Sequence, residues 1–453
     1  MAEKTIAAVS TPAGEGGIGI IRISGPDAIE IADRVFKSYS GKRLVKLAGY
    51  TALYGQIFDG DEVVDECVAT VFLEPKSYTG ENVCELSCHG GQAATSATLR
   101  AVLSAGASMA DRGEFTKRAF LNGKLDLAEA ESVMGLISAK SREELRLHYS
   151  VKKGKTSKEI AEIEAVLLEL SADFSAYSDY PDEDLPELSL DNFNRLLGLA
   201  KERLCRLLST YDQGKILREG ISTAIVGKPN VGKSTLMNML SREERSIVTD
   251  IAGTTRDVIE NAVNIGSLTL LLADTAGIRE TEDTVEGVGV KIAKQRLSSS
   301  QLVLAVFDVS SPLDDDDRRL ISLLSPENTV VVLNKSDKGL EPQDPVFKGF
   351  KKVVISAKEG AGTENLKCAI AEISGLNQLD PAAAVILSER QRDLAEKAKK
   401  AVVEAEKLLT SGFTIDAVGV CIDEAIASLY TLDGRRVTNE VADEVFRRFC
   451  VGK

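Results

Sequence analysis

The chain has 453 residues, 43% of them hydrophobic and 27% charged, with a formal net charge of −14 and seven cysteines. That is length for roughly two to four domains of a soluble, globular kind, and no apolar run approaches the ~18–20 residues of a membrane span. A secretory leader is not evident, the odd cysteine count suits reduced thiols in a cytoplasmic protein, and the acidic balance means that any RNA contact needs a local basic patch or a partner's surface.

From the N-terminus, residues 5–10 and 18–23 read as strands, and residues 26–36 as a helix with Pro26 in its first turn. Residues 50–58 and 62–73 flank Asp59-Gly60, a hairpin signal. A further strand is predicted over 83–88 and a helix over 93–103, which makes a compact α+β domain over 1–122. Gly14, Gly16 and Gly19 spell G-x-G-x-x-G, but a strand follows where a dinucleotide site needs a helix. Cys84, Cys88 and His89 resemble metal ligands, yet Cys84, Leu86 and Cys88 share one strand face and no second Cys/His pair is near in sequence. Arg22 and the run Tyr78-Thr79-Gly80-Glu81 place a base and an acid beside glycine-rich turns, where they either grip an anionic, pterin-like molecule or form a surface ion pair.

Helical patterning follows over 123–219. Residues 124–140 carry an apolar stripe of Leu125, Leu127, Val133, Met134, Leu136 and Ile137, and further helices are expected over 143–149, 158–171 and 190–211. The break at 179–187 contains Pro181, Pro186 and the acidic Asp182-Glu183-Asp184, read as a solvated loop. Lys152, Lys153, Lys155 and Lys158 form the densest basic cluster of this segment, a solvated helix start in preference to an RNA-phosphate patch. Helices resume over 388–409, 415–430 and 439–449. The simplest architecture inserts the intervening segment, 220–376, into one helical domain formed by 123–219 and 377–453. Cys450-Val451-Gly452-Lys453 is no prenylation box, and by chemistry alone it reads as a frayed end.

The inserted segment carries the densest chemistry. Gly227-Lys228-Pro229-Asn230-Val231-Gly232-Lys233-Ser234 fits G-x-x-x-x-G-K-S between a strand at 221–226 and a helix that Thr235 can open. Glycines there let backbone N–H groups point at one phosphate chain beside the positive end of a helix dipole; Lys233 reaches the β and γ phosphates and Ser234 holds Mg²⁺. A strand at 268–272 ends in Asp274-Thr275-Ala276-Gly277, the D-x-x-G that senses Mg²⁺ and γ-phosphate. The strand at 302–307 carries no motif. The next, 330–333, delivers Asn334-Lys335-Ser336-Asp337, whose carboxylate suits guanine N1–H and the 2-amino group; the last, 353–355, leads into Ser356-Ala357-Lys358, suited to the guanine carbonyl. Four motifs in order at strand ends read as a GTP/GDP site and a Ras-like fold.

Ile278 stands where Ras-like enzymes use a water-orienting glutamine, so another group must serve, and Glu280, Glu282 and Glu286 are available. The run Thr249-Asp250-Ile251-Ala252-Gly253-Thr254-Thr255-Arg256-Asp257 must supply a switch threonine for Mg²⁺, and Arg256 either assists the phosphates or is a surface charge. Asn230 places an amide oxygen where K⁺ could lie beside the phosphates, in the role of an arginine finger.

With these residues assembled, the chain resembles the MnmE (TrmE) family of tRNA-modification GTPases from end to end. The resemblance runs through Ile20-Ile21-Arg22-Ile23-Ser24, Tyr78 to Glu81, Ala119-Phe120-Leu121-Asn122-Gly123-Lys124-Leu125-Asp126-Leu127, Gly253 to Asp257 and the closing Cys-x-Gly-Lys. It implies a multidomain α/β chain with a P-loop GTPase domain inserted in an α-helical domain, preceded by an α+β folate-binding-like domain that dimerises. It further implies that Arg22, Glu81, Lys124 and Lys453 contact a tetrahydrofolate, 5,10-methylenetetrahydrofolate or its 5-formyl analogue. Asn230 with Thr249, Ile251 and Thr254 would hold K⁺, Ser234 and Thr255 Mg²⁺, and Glu286 would act on the hydrolytic water; Cys450 falls on a cysteine needed for modification. The family works as a homodimer with MnmG (GidA), a partner that carries FAD, in a heterotetramer, placing an aminomethyl or carboxymethylaminomethyl group on carbon 5 of a tRNA wobble uridine. Two alternatives stand beside it: a regulatory GTPase of ribosome assembly, and a folate-dependent transferase with GTP only regulatory.

Overall fold

The computed structural model describes residues 4–139, 141–179, 190–242, 262–265, 268–272, 300–338, 345–375, 380, 383–411 and 415–453. The chain divides into two compact units, one of residues 1–134, 151–204 and 393–453, the other of 135–150 and 205–392.

The first unit contains a seven-stranded sheet of β1 (Ile6–Val9), β2 (Gly19–Ser24), β3 (Phe36–Ser38), β4 (Thr51–Asp59), β5 (Glu62–Phe72), β6 (Val83–Cys88) and β7 (Ser108–Met109), in the order β3-β4-β5-β6-β2-β1-β7. Alternation explains one core face: Ile21, Ile23, Ala69, Val71, Cys84 and Leu86 lie against Ile31 and Val35 of helix Ala28–Val35 and Val102 of helix Gln92–Ser104. β1 and β2 pair antiparallel, so the G-x-G-x-x-G glycines belong to a hairpin connection and its end, with no helix behind them. Cys84, Leu86 and Cys88 are all buried on one strand face, and the His89 ring bonds instead to Asp65 at 2.6 Å.

A helix over Glu114–Leu121 was not expected from the sequence. Its buried Phe115 packs with Ile6, Ala8 and Ala110, and Phe120 packs with the Leu127, Ala130, Phe446 and Phe449 cluster. The last helix, Asn439–Arg447, is capped by the Thr438 hydroxyl. Longer helices run over Lys155–Asp179, Leu190–Glu219, Glu389–Thr410 and Ile415–Asp433. Among the described residues no helix is long and apolar enough to cross a membrane.

The second unit is built on a six-stranded sheet of β8 (Ile221–Val226), β9 (Ala262–Ile265), β10 (Leu268–Leu272), β11 (Leu302–Asp308), β12 (Thr329–Asn334) and β13 (Lys351–Val354), in the order β13-β12-β11-β8-β10-β9. All neighbours are parallel except β9, which pairs antiparallel with β10. β12 is buried along its whole length because both faces are covered. Leu236 and Leu240 of helix Lys233–Arg242 and Leu366 and Ile370 of helix Thr363–Ile373 pack on one face; Ile321 and Phe347 pack with Phe307 on the other. From β8 the chain passes to the edge strand β9, returns as β10 beside β8, then crosses to β11 on the opposite side, which opens a crevice at the strand C-termini.

Candidate functional site

The phosphate loop leaves β8 at that crevice. Gly227 has φ +151°, and an added Cβ would lie 2.4 Å from the Val306 carbonyl oxygen; Gly232 has φ +97°, and its Cβ would lie 2.2 Å from Asn334 Nδ2. Both positions therefore require glycine. Lys233 Nζ donates to the carbonyls of Gly227 (2.8 Å) and Lys228 (2.7 Å), and burial draws its pKa below the ordinary lysine value. Ser234 and Thr235 are exposed in the first turn of the following helix. Asn230 is exposed and has φ +66°, in the left-handed region.

The base-side loops arrive from β12 and β13. Asn334 is 2% exposed and joins three loops: its Nδ2 donates to Val231 O (2.8 Å), and its Oδ1 accepts from Ala357 N (3.0 Å). Asp337 is exposed, and Ser356 Oγ donates to its Oδ1 at 2.8 Å. That bond holds the Asp337 carboxyl below its usual pKa, so it stays an acceptor at neutral pH. Lys358 is exposed beyond them. Thus Asn230 to Thr235, Asn334, Lys335, Asp337 and Ser356 to Lys358 come together on one edge of the sheet. Thr249, Asp250, Ile251, Ala252, Gly253, Thr254, Thr255, Arg256, Asp274, Thr275, Ala276, Gly277, Ile278, Glu280, Glu282 and Glu286 lie outside the described residues, as does Asp182-Glu183-Asp184.

Sequence reasoning missed three aspartates here. Asp308 Oδ2 accepts from Lys335 Nζ at 2.6 Å, and Lys228 Nζ pairs with Asp314 and, at 2.9 Å, with Asp317. The acidic run 314–317 was the available signal, and it follows the strand that carries no motif.

In the first unit, Arg22 lies within β2, opposite Glu85 of β6, and not at a loop end. Its Nε donates to Glu85 at 2.8 Å, and its guanidinium lies 5.3 Å from the Tyr78 ring centroid and 5.7 Å from that of Phe115. Glu81 is likewise no surface partner of Arg22. It is buried, accepting from Ser24 Oγ at 2.6 Å and Arg118 Nη1 at 3.1 Å. Lys124 is exposed and donates to Pro75 O at 3.0 Å, alongside Gly80.

The C-terminus is not frayed. Gly452 is buried, Ser10 Oγ and Arg22 Nη1 donate to its carbonyl at 3.0 and 3.4 Å, and Val451 bridges Arg112. This close approach needs φ +90° at Gly452, where a Cβ would lie 2.2 Å from Val9 O. Lys453 is half-buried, and burial followed by the nearby Arg22 charge lowers its pKa. Arg22 and Lys453 are thereby brought together, with Cys450 exposed just before them.

Residues 5–124 match the family described as GTP-binding protein TrmE N-terminus, and residues 127–450 match the MnmE helical domain. The chain belongs to the MnmE (TrmE) family of tRNA modification GTPases. The sheet β8–β13 falls inside the span matched to the MnmE helical domain, which agrees with a P-loop GTPase domain inserted in a helical one. A protein of Carboxydothermus hydrogenoformans called tRNA modification GTPase MnmE is 42% identical over 465 residues, covering 100% of both chains. Proteins of the same name from Acetivibrio thermocellus and Geobacter sulfurreducens are 38% and 41% identical, each covering 100% of this chain and 99% of their own. End-to-end likeness to MnmE proteins does not favour a ribosome-assembly GTPase.

Proposed function

We propose that this GTPase hydrolyses GTP within a cycle of tRNA wobble-uridine modification, working as a homodimer with a flavin-carrying MnmG-type partner in the cytoplasm. The observation that carries the nucleotide reading is the Asn334 amide, which ties the phosphate loop to the base-side loop beside the ionised Asp337. Asp337 would accept from guanine N1–H and the 2-amino group, which adenine does not offer in that arrangement. Lys233, now satisfied by two carbonyls, would exchange them for phosphate oxygens, gaining a stronger charge-assisted bond.

The loop suits its proposed ions. Ser234 is an exposed hydroxyl at a helix N-terminus and would hold Mg²⁺ with Thr255; Asn230, turned outward by its left-handed backbone, would hold K⁺ with Thr249, Ile251 and Thr254. These cations would supply positive charge against the phosphates. Glu286 would orient the attacking water, and Arg256 would stand by the phosphates.

For the first unit we propose a tetrahydrofolate site formed by Arg22, Lys124 and Lys453, with Glu81 as its buried anchor. The Arg22 guanidinium over the Tyr78 ring, with Lys453 near it, suits a flat, anionic molecule. The one-carbon unit would come from 5,10-methylenetetrahydrofolate, with Cys450 nearby in the modification step. The domain limits read from the sequence, 1–122, 123–219, 220–376 and 377–453, belong to the same proposal.

The test is mass spectrometry of tRNA wobble nucleosides from cells lacking the protein, complemented with the full chain or with a chain lacking residues 450–453. Loss of the carbon-5 modification with GTP turnover intact in the truncated chain is expected. Unchanged wobble nucleosides in the deletion strain would overturn the assignment.

A further inference from the structure

β11 carries no nucleotide motif, yet the segment that starts at its last residue, 308–317, holds a lysine from each nucleotide loop. At its start, Asp308 accepts from Lys335 of the base-side loop at 2.6 Å, and both side chains are largely buried. Burial works against the Asp308 carboxylate, but its bonds to Lys335 and to Ser310 outweigh that and keep it ionised. Lys335 itself has φ +66°, a backbone state that a lysine does not adopt without outside support.

At the other end, Asp314 caps the short helix Asp315–Ile321 in a reciprocal arrangement with Asp317. Asp314 also binds Lys228 of the phosphate loop, and the nearly buried Asp317 reaches the same ammonium at 2.9 Å. The carbonyl of Lys228 is in turn one of the two acceptors of Lys233 Nζ. The backbone between is fixed as well: Val309 N donates to Asn334 O at 3.0 Å, and Asp308 stands opposite Asn334 in the β11–β12 register.

We infer that segment 308–317 is a brace that sets the distance and orientation of the phosphate loop relative to the base-side loop, with Asp308 positioning Lys335 and the Asp314/Asp317 pair positioning Lys228. None of the three carboxylates touches the nucleotide in this scheme; each acts through a lysine. The brace raises affinity for a nucleotide that spans both loops by ordering them before it arrives. This inference rests on the guanine-nucleotide reading of the site.

The experiment measures binding of a fluorescent GDP to the full-length protein, with ATP as competitor, for the wild type, Asp308→Asn, the double variant Asp314→Asn/Asp317→Asn, Lys228→Met, Lys228→Arg, and Lys228→Met on the double-variant background. Thermal unfolding is followed in parallel. The brace predicts a roughly tenfold weaker GDP affinity in Asp308→Asn and in the double variant, on the order of 1.4 kcal/mol each. It also predicts that Lys228→Met costs nothing further once both aspartates are gone, that Lys228→Arg restores most of the affinity, and that melting temperatures hold within a few degrees.

GDP affinities within twofold of wild type in all variants would overturn the brace. So would affinity losses that track melting temperature, or full additivity of Lys228→Met with the aspartate substitutions. Equal displacement of GDP by ATP from the wild type is a different result, and it would sink the guanine-nucleotide reading itself.

Discussion

Ser10 and Gly452, 442 positions apart, are joined by a hydrogen bond from the serine hydroxyl to the glycine carbonyl at 3.0 Å. The bond exists because Gly452 adopts φ +90° with its Cα close against Val9, a path that any Cβ would block. Gly452→Ala is therefore expected to unseat Lys453 from the neighbourhood of Arg22 and displace Cys450. Wobble-uridine modification should fall by at least about tenfold, a loss of ~1.4 kcal/mol in effective positioning, while GTP turnover stays within twofold. Nucleoside mass spectrometry beside a phosphate-release assay checks this. Normal modification by the alanine variant would show that the tail's seat does not matter.

How much of this was legible in the sequence varies with the kind of signal. The buried parallel strands were readable because β8, β10, β11 and β12 are short apolar runs, and all of them but β11 lead into motif residues. β9 was missed as a four-residue edge strand, and β7 has only two residues. The helix Glu114–Leu121 was missed because Thr116 and Arg118, polar residues, occupy its buried face. That omission hid the partner of Glu81, and an ion pair between an unassigned helix and a distant turn has no local pattern. The seated tail was invisible for a similar reason: its own backbone carbonyls accept from Ser10, Arg22 and the Gly113 N–H, residues far away in sequence. Asp308, Asp314 and Asp317 lay in plain view but outside every motif.

Asn334 gives a direct test of the link between the two nucleotide loops. Replacing it with alanine leaves the Val231 carbonyl and the Ala357 N–H, both at buried positions, without their partner. Each unsatisfied group costs about 1–3 kcal/mol, so Asn334→Ala should destabilise the second unit by roughly 2–4 kcal/mol. GDP affinity should fall with it. Urea unfolding with and without GDP reads both effects, and a loss below about 0.5 kcal/mol would contradict this role.

Glu81 anchors the first unit before it does anything for a ligand. With Glu81 and Arg118 side chains each only 10% exposed, removal of the carboxylate leaves a largely buried guanidinium whose further partners among the described residues are Glu114 and the Lys4 carbonyl. Glu81→Ala should cost about 2–3 kcal/mol, below the usual 3–5 kcal/mol for a broken buried pair because those partners remain. Glu81→Gln, which keeps an acceptor for Ser24 and Arg118, should lose less. Equal destabilisation by the two variants would mean that packing, and not the carboxylate, is what matters.

The proposed K⁺ site rests on Asn230, whose left-handed backbone a side chain with an oxygen acceptor tolerates better than most. Turnover in K⁺ buffer should exceed that in Na⁺ buffer by about tenfold or more, since removing one fixed positive charge at the phosphates costs a few kcal/mol of transition-state stabilisation. Asn230→Ala should abolish the difference between the two buffers. Equal rates of the wild type in both would remove the cation from the scheme.

His148 supplies a pH prediction for the second unit. Its side chain is buried, its Nδ1 has no hydrogen-bond partner among the described residues, and an added Cβ at Gly135 would lie 1.9 Å from the ring. Burial first, and the Arg218 charge second, lower its pKa from 6.5 to about 4. The folded chain therefore refuses a proton that the unfolded chain accepts. Stability is undiminished by this group above about pH 6.5 and falls as the pH drops from there toward 4, where the folded form also becomes protonated. The loss at pH 4.5 relative to pH 7 should be roughly 2–3 kcal/mol. His148→Gln, uncharged throughout, should lack that component, so the urea midpoints of the two proteins are expected to change by different amounts between these pH values. Parallel changes would mean that His148 is protonated in the folded protein as readily as in the unfolded chain.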